Sequence, residues 1–148
     1  MRTAIVGVGN ILMRDDGVGV HVAWKLIDTP LPADVDVTDA GTSAEAAFSV
    51  AGADRDIVVD AVRLGGSPGT VYRLTADDAA ADEEIHTCHD AGLIDALRAV
   101  AEAQPEIVIF GVEPGEIEWG LGLSEDVAAA VGRVVEVVND ELKGAQCS

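Results

Sequence analysis

The sequence GVGNILMRDDGVGV, at residues 7–20, combines the glycines of a phosphate-binding turn with two adjacent aspartates. It follows a short apolar run and leads into a predicted helix at 17–27, which makes it a strand–loop–helix unit. A dinucleotide-binding fingerprint requires a third glycine where this chain has Leu12. Asp15 and Asp16 would also face the pyrophosphate that such a turn binds, and charges of the same sign repel. The stretch therefore indicates an α/β fold and argues against a nucleotide phosphate as the ligand.

Length and composition favour one folded domain, residues 1–148. Hydrophobic residues make up 49% of the chain, which is typical of a globular protein. The apolar runs are shorter than a membrane span, and the glycines that follow the first run argue against a signal peptide. The two cysteines, Cys88 and Cys147, form no disulfide framework, which fits a reducing compartment. We therefore expect a cytoplasmic protein with no membrane partner.

The charge of the chain is strongly negative. Lysine and arginine total 9 residues against 27 aspartates and glutamates, a formal net charge of −18. Such a surface repels nucleic-acid phosphates, so we expect no nucleic-acid partner. Two explanations of the acidity compete: a field that attracts a basic partner, or adaptation to a salty cytoplasm in which screening removes self-repulsion. The scatter of the acids over every predicted surface favours the second, a halophile-like surface.

Apolar runs of strand length alternate with segments of helical periodicity along the chain. The predicted strands are 3–8, 35–40, 56–62, 70–74 and 106–112, and the predicted helices are 17–27, 42–51, 89–103 and 124–142. This alternation predicts a mostly parallel sheet covered by helices on both faces. Strand 56–62 is almost entirely apolar, as expected of a strand buried on both faces, whereas 70–74 follows a turn and is predicted at the sheet edge. The predicted fold class is therefore α/β, a three-layer α/β/α sandwich.

Acidic residues follow or end almost every predicted strand. They are Asp15 and Asp16 after the first strand, Asp39 in the second, Asp60 in the third and Glu113 after the fifth. Ligands of open α/β sheets bind outside the carboxyl ends of the strands. We therefore expect these carboxylates to meet at one edge of the sheet.

The acidic residues at this edge of the sheet fit a binding site for a cation better than one for an anion. Asp16 and Asp60 could supply oxygen ligands, and His89, at the start of helix 89–103, could supply a nitrogen. The helix dipole disfavours a charged imidazole at that position, and the neutral ring is the form that binds metals. Two carboxylates and one imidazole suit a divalent ion such as nickel, zinc or cadmium.

Structural roles remain open for the same residues. Asp15 or Asp16 could cap the helix at 17–27, and we expect one of them to do so. Asp60 could hydrogen-bond the next loop, and His89 could be a solvated residue at a helix start. Convergence on one edge favours a functional role for Asp16 and Asp60, whereas it leaves the role of His89 undecided.

Five motifs carry a resemblance to a known family: GVGNILMRDDGVGV at 7–20, DAGT at 39–42, VVDA at 58–61, CHDAGL at 88–93 and GVEP at 111–114. In their order and approximate spacing they resemble the motifs of the nickel–iron hydrogenase maturation endopeptidases, over essentially the whole chain. The resemblance implies a single α/β/α domain around a five-stranded twisted sheet of the phosphorylase/hydrolase-like type. It also implies one activity, removal of a short C-terminal extension from the hydrogenase large-subunit precursor once nickel has been inserted.

The resemblance maps the metal-contacting residues of the family onto Asp16, Asp60 and His89, with Asp16 and Asp60 as the catalytic pair. Many relatives have Glu where this chain has Asp16, whose carboxylate is one methylene shorter. Nickel would arrive with the precursor, so its open coordination positions would serve as the specificity test, and zinc or cadmium could substitute in a crystal. The nickel-loaded precursor would thus be the partner of a monomeric, aspartic-type endopeptidase without an organic cofactor.

Three further residues are candidates for contacts with the precursor. Asp39 and Glu113 could orient a ligand or bind the substrate tail. Trp119 lies in a Gly- and Glu-rich loop at 113–123 and could anchor the precursor, although a tryptophan packed over the rim of the core explains it equally well. The chemistry would be hydrolysis of one peptide bond, through Lewis-acid polarisation or through a water that a carboxylate activates.

Two other functions compete with this interpretation. A non-proteolytic nickel-binding or metal-sensing chaperone would need the same Asp16, Asp60 and His89. A peptidyl-tRNA hydrolase shares a G-x-G-N turn after its first strand, but its turn continues with Pro-Gly where this chain has Ile11 and Leu12. The net charge of −18 also disfavours tRNA as a ligand.

Overall fold

A computed structural model describes residues 2–42, 53–75, 78, 86–87 and 106–146. The strands among them are β1 (Thr3–Val8), β2 (Val35–Gly41), β3 (Arg55–Arg63), β4 (Val71–Thr75), β5 (His86–Thr87) and β6 (Ile107–Val112). The helices among them are a 3₁₀ helix (Arg14–Gly17), α1 (Val18–Ile27) and α2 (Glu125–Gln146). None of the helices in these ranges is long and apolar enough to cross a membrane.

The sheet confirms the predicted α/β architecture. Its strand order is β2-β1-β3-β6-β4, and β5 pairs with β3 away from this path. Strands β2, β1, β3 and β6 run parallel, whereas β4 lies antiparallel to β6 at the edge where the sequence predicted it. Parallel neighbours require crossover connections, and among the described residues α1 forms the crossover from β1 to β2.

Helices α1 and α2 cover one face of the sheet and contact each other. The apolar side chains of that face form one core with both helices: Ile5, Ile57, Val59, Phe110, Val18, Val22, Leu26, Val127, Ala130, Val134, Val138 and Leu142. The helical periodicity predicted for 17–27 and 124–142 is confirmed, because the buried apolar residues of both helices stand three and four positions apart, on one helical face. Helix α2 begins at Glu125 and extends beyond the predicted end at residue 142.

The other face of the sheet is also buried. Side chains alternate between faces along a strand, so Val58 and Val62 of β3 lie opposite Ile57 and Val59, and all four are almost fully inaccessible. Burial on both faces is what a three-layer sandwich requires. The predicted helices 42–51, apart from Thr42, and 89–103 lie outside the described residues.

Glycine at position 19 permits the first turn of α1 to lie directly on the sheet. A Cβ atom there would approach the carbonyl oxygens of Val59 and Val8 to 2.2 and 2.3 Å, far inside van der Waals contact. The glycine for close helix–strand packing thus stands at position 19, whereas a dinucleotide-binding turn would have it at position 12. This packing sets where the preceding loop and its two aspartates lie relative to β3.

The structure changes one strand boundary that matters for the site. Strand β3 runs from Arg55 to Arg63, one residue longer at each end than the predicted 56–62, so Asp60 lies within the strand and not at its end. The last two residues of β3 pair antiparallel with β5, at Val62↔Thr87 and Arg63↔His86. The two residues of β5 are too few to show a periodicity of their own, so the sequence did not predict this strand.

Candidate functional site at the carboxyl edge of the sheet

The loop after β1 turns sharply so that its two aspartates become buried. The side-chain oxygen of Asn10 accepts a hydrogen bond from the Leu12 amide (3.0 Å), and the Asn10 carbonyl accepts one from the Met13 amide (3.0 Å). The 3₁₀ helix follows at once. In a 3₁₀ helix consecutive side chains point about 120° apart, so Asp15 and Asp16 face different surroundings.

Asp15 anchors the loop that connects β6 to α2. Its carboxylate accepts hydrogen bonds from the amides of Gly115 (2.8 Å), Glu116 (2.7 Å) and Ser124 (2.7 Å), and from the Ser124 hydroxyl (2.7 Å). Burial by itself would raise the pKa of Asp15, but the hydrogen bonds from Glu116, Ser124 and Gly115 together outweigh it and lower the pKa. Asp15 is therefore an ionised structural residue.

Asp16 is also buried, but it does not contact the loop after β6 in the way that Asp15 does. One carboxylate oxygen, Oδ2, accepts a hydrogen bond from the Asn10 amide (3.1 Å). The 3₁₀ helix that carries Asp16 contacts β3. The expected capping role is wrong for both aspartates, because Gly17 is the N-cap of α1 and no side chain caps that helix.

Asp60 lies within β3 and is fully buried. Its Oδ1 accepts a hydrogen bond from the amide of Ala61 (2.8 Å), and its backbone position pairs with Gly111 of β6. By the alternation along β3, its side chain lies on the face turned away from α1 and α2. A carboxylate within a buried strand is uncommon, because burial of a charge is costly.

His89 and Cys88 lie outside the described residues. The backbone of Thr87, two residues before His89, pairs with Val62, two residues after Asp60. The described part of the chain contains no group of three or more His, Cys, Asp or Glu side chains arranged to hold a metal ion. The three-residue cation site of Asp16, Asp60 and His89 therefore stays a prediction.

Glu113, predicted as a second-line ligand, holds the turn between β3 and β4. Its Oε1 accepts hydrogen bonds from the amides of Leu64 (2.8 Å) and Gly66 (2.9 Å) and from the Tyr72 hydroxyl (2.8 Å). Burial, followed by the bond to Glu113, raises the pKa of Tyr72. These contacts give Glu113 a structural role at this edge, and a role in substrate binding remains a prediction.

Asp39, the other second-line candidate, lies exposed on β2 beside α1. Its Oδ2 accepts a hydrogen bond from the indole N–H of Trp24 (2.9 Å), and its Oδ1 accepts one from the Gly41 amide (2.9 Å). His21 packs edge-to-face on Trp24 with ring centroids 5.2 Å apart, and burial lowers the pKa of that histidine. The β1–β2 register places Asp39 opposite Gly7, at the beginning of the first loop.

Sequence reasoning missed the contacts that join distant loops. The link from Asp15 to Ser124 spans 109 residues, and the link from Glu113 to Tyr72 spans 41. Only Ser124 carried a local signal, because serine before an acidic helix start is a preferred N-cap residue. In the structure its hydroxyl donates to Asp15 instead.

Comparison of the sequence with known proteins finds the same family in each case. The sequence profile of the family described as hydrogenase maturation protease matches residues 20–141. A putative hydrogenase maturation protease of Methanocaldococcus jannaschii is 35% identical, over 94% of this chain and 95% of that protein. The hydrogenase 2 maturation protease of Escherichia coli is 34% identical, over 93% of this chain and 88% of that protein.

Solved structures agree with the sequence comparison. The hydrogenase maturating endopeptidase HybD from Escherichia coli superposes with a TM-score of 0.82 at 29% identity, covering 98% of this chain and 94% of that one. The [NiFe] hydrogenase maturation protease HybD from Thermococcus kodakarensis superposes with a TM-score of 0.79 at 29% identity, covering 95% and 98%. The likeness therefore covers nearly the whole of this chain and of both solved structures.

Proposed function

Because the chain belongs to the hydrogenase maturation protease family, we propose that it cuts one peptide bond in a nickel–iron hydrogenase large-subunit precursor. The cut removes a C-terminal extension after nickel has been inserted. Asp16, Asp60 and His89 recognise the nickel that the precursor carries. The ion is thus part of the substrate.

The observation that carries this proposal is the burial of two carboxylates on neighbouring elements. Asp16 lies on the 3₁₀ helix and Asp60 on β3, and these two elements contact each other at the carboxyl edge of the sheet. Carboxylates taken out of water attract a divalent ion more strongly than exposed ones, because the local dielectric constant is lower. A pair of acids on this edge therefore supports a ligand that bears positive charge.

The position of β5 supports the inclusion of His89. Thr87 pairs with Val62, and in an antiparallel pair the two-residue step back to Asp60 and the two-residue step forward to His89 lead in the same direction. The chain length between Thr87 and His89 therefore allows the imidazole to reach Asp60. Imidazole and carboxylate together match the ligand preference of nickel.

The reaction is hydrolysis of an amide. A water oxygen bonds to the scissile carbonyl carbon, the carbon–nitrogen bond breaks, and the departing amine takes a proton. Two ways of promoting the attack fit the site: the client's nickel polarises the carbonyl or the water, or one carboxylate takes the water proton as a general base. Cleavage of a zinc-loaded precursor, compared with a metal-free one, separates requirement for an ion from requirement for nickel itself.

The test replaces Asp60 by Asn and measures cleavage of nickel-loaded precursor by the shift in its gel mobility. We expect a loss of about 1,000-fold or more, since the substitution removes a charge from the reacting centre at nearly constant shape. The matched control is Asp56→Asn, a buried aspartate on the same strand and the same face at the opposite end of the sheet. Normal cleavage by Asp60→Asn would refute the proposed site, and so would equal losses in both variants.

A non-proteolytic nickel-binding chaperone is the second candidate, because it would use the same three residues. The two functions differ in what happens to the precursor. A chaperone binds it and releases it intact after long incubation with the wild-type chain, whereas the protease leaves a shortened product. Intact precursor with retained, Asp60-dependent binding would favour the chaperone.

A further inference from the structure

The first loop and the loop after β6 form one unit, which we call the paired loops, residues 10–16 and 113–124. Met13 and Gly120 form a parallel β-bridge. The Gly120 amide donates to the carbonyl of Leu12 (2.9 Å), and the amide of Arg14 donates to the Gly120 carbonyl (3.1 Å). Together with the bonds to Asp15 described above, these contacts fix the two loops against each other.

Large apolar side chains are exposed on the paired loops. Trp119 is 78% accessible, Leu121 is 74% and Leu12 is 50%. Trp119 and Leu121 flank Gly120, and Leu12 precedes Met13, so the three surround a single backbone bridge. We call them the apolar rim. The alternative that Trp119 packs over the core is therefore wrong, and exposed apolar groups of this kind commonly mark an interaction surface.

The backbone beneath the rim is held in a costly conformation. Arg14 has φ of 50°, a left-handed conformation that is unfavourable for a residue other than glycine. Its guanidinium binds the Glu116 carboxylate (2.8 Å), approaches Glu118 (3.7 Å) and donates to the Gly122 carbonyl (3.4 Å). A surface that is ordered before a partner arrives loses less conformational entropy on binding.

The surroundings of the rim are acidic. Glu116, Glu118, Glu125 and Asp126 are all exposed on the same loop and at the start of α2. Arg14 is already bound to the first two, and the chain as a whole carries a net charge of −18. A partner that fits this surface therefore has an apolar centre with basic residues around it.

We propose that the apolar rim of Leu12, Trp119 and Leu121 docks an apolar surface segment of the hydrogenase precursor that is bordered by basic residues. This proposal rests on the proposed function, and it assigns recognition of the protein to the rim and recognition of the ion to the buried carboxylates. Leu12 and Asp16 belong to the same loop, so docking at the rim aligns the precursor with the site. Tryptophan is one of the residue types enriched among the central interface residues that contribute most of the binding energy.

The kinetic test uses the double variant Trp119→Ala/Leu121→Ala. We expect KM for nickel-loaded precursor to rise about tenfold or more with kcat within about twofold, because the rim contributes binding and lies apart from the reacting groups. The control is Ile27→Ala, an apolar residue at the far end of α1 whose 54% accessibility is close to that of Leu12 in the rim. An unchanged KM in the double variant, or the same rise in Ile27→Ala, would overturn the proposal.

A binding measurement separates this proposal from the function on which it rests. Asp60→Asn protein, which is expected to be inactive, is titrated with nickel-loaded precursor, with and without the two rim substitutions. Loss of about tenfold or more in affinity on removal of the rim supports docking, whereas equal affinities refute docking and leave the cleavage result for Asp60 unaffected. The affinity of the Asp60→Asn protein with an intact rim for the precursor must also fall as ionic strength rises from about 0.1 M. An affinity that does not change with salt would refute the claim that basic residues border the precursor segment.

Discussion

Glu141, towards the amino end of the sheet, and the acids Asp15 and Glu113, at its carboxyl end, are held in different ways. At the amino end, Glu141 of α2 binds two arginines, Arg55 of β3 and Arg73 of β4. At the carboxyl end, Asp15 and Glu113 accept hydrogen bonds from backbone amides and hydroxyl groups. An arginine neutralises the acid that it binds, whereas an amide holds a carboxylate in place and leaves its negative charge intact.

The difference indicates that acids at the two ends of the strands have different roles, stability at the amino end and ligand binding at the carboxyl end. Charge that is neutralised by arginine contributes to stability alone. Charge that is held by amides adds to the charge of the buried Asp16 and Asp60, and a negative field of this kind is what the proposed nickel ligand would require. Substitutions at the amino end should therefore change stability and spare cleavage, whereas substitutions at the carboxyl end should change cleavage as well.

The largest effect is expected for Asp15→Ala at the carboxyl end. It leaves three amides and a hydroxyl without their acceptor, and we expect the free energy of unfolding to fall by about 3–5 kcal/mol. Urea denaturation measures this loss, and cleavage by the remaining folded protein should fall too, because the paired loops lose their anchor. A loss below about 1 kcal/mol would contradict the role of Asp15 as the anchor.

Arg55→Ala at the amino end is expected to have the next largest effect. It removes a buried arginine from Glu141, and we expect a loss of about 2–3 kcal/mol, less than for a lone buried pair because Arg73 still binds that carboxylate. Cleavage per folded molecule should equal that of the wild type. A changed kcat for fully folded Arg55→Ala protein would show that the amino end of the sheet contributes to activity. The proposed difference between the two ends would then be wrong.

A third prediction concerns pH, because Asp15 and Asp56 shift in opposite directions. Burial raises the pKa of Asp56 to about 6, so the folded chain binds a proton that the unfolded chain releases, and stability falls as pH rises from about 4 to 6. We expect Asp56→Asn to be about 1–2 kcal/mol more stable than the wild type above pH 6. Thermal denaturation across this range measures the difference.

The lowered pKa of Asp15 has the opposite consequence. Its contribution is complete above the unfolded value of 3.8 and is lost as pH falls through the lower folded value. Wild-type and Asp56→Asn proteins should therefore lose stability in parallel in strong acid. Curves for the two proteins that run parallel between pH 4 and 6 as well would contradict the assignment to Asp56.

The smallest effect is expected for Arg2→Ala. Its guanidinium binds Asp36 at 2.8 Å, but both side chains are about half exposed, so solvent screens the pair. We expect a change below about 1 kcal/mol in the free energy of unfolding, decreasing further with added salt. A larger loss of unfolding free energy would show that burial does not decide how much an arginine pair at the amino end contributes to stability.

Much of the fold was predictable from local sequence. The limits of β1 agree with the prediction at both ends, and the helical periodicity predicted for 124–142 is confirmed in α2, because burial imposes a period that can be read from a few consecutive residues. The short strand β5 was not predicted, since its pairing with β3 depends on residues more than twenty positions away. Local pattern contains no information about such a partner.

The candidate site was predictable only in part. The position of acids at strand ends pointed to the carboxyl edge, and the structure places Asp16, Asp60 and Glu113 there, buried. The separate roles of Asp15 and Asp16 could not be read from two identical neighbouring residues. They follow from the turn of the 3₁₀ helix, which directs one carboxylate to the loop after β6 and the other to the Asn10 amide.

The sequence by itself determined the alternation of strands and helices, the acidic character of one sheet edge and the likeness to a protease family, because composition and periodicity are local properties. The tertiary structure decided which acids serve as anchors, how the paired loops present Trp119 and Leu121, and which charges arginines neutralise. Those outcomes depend on contacts between residues up to about a hundred positions apart, as between Asp15 and Gly115. Such contacts form only when the whole sheet brings the two loops to the same edge.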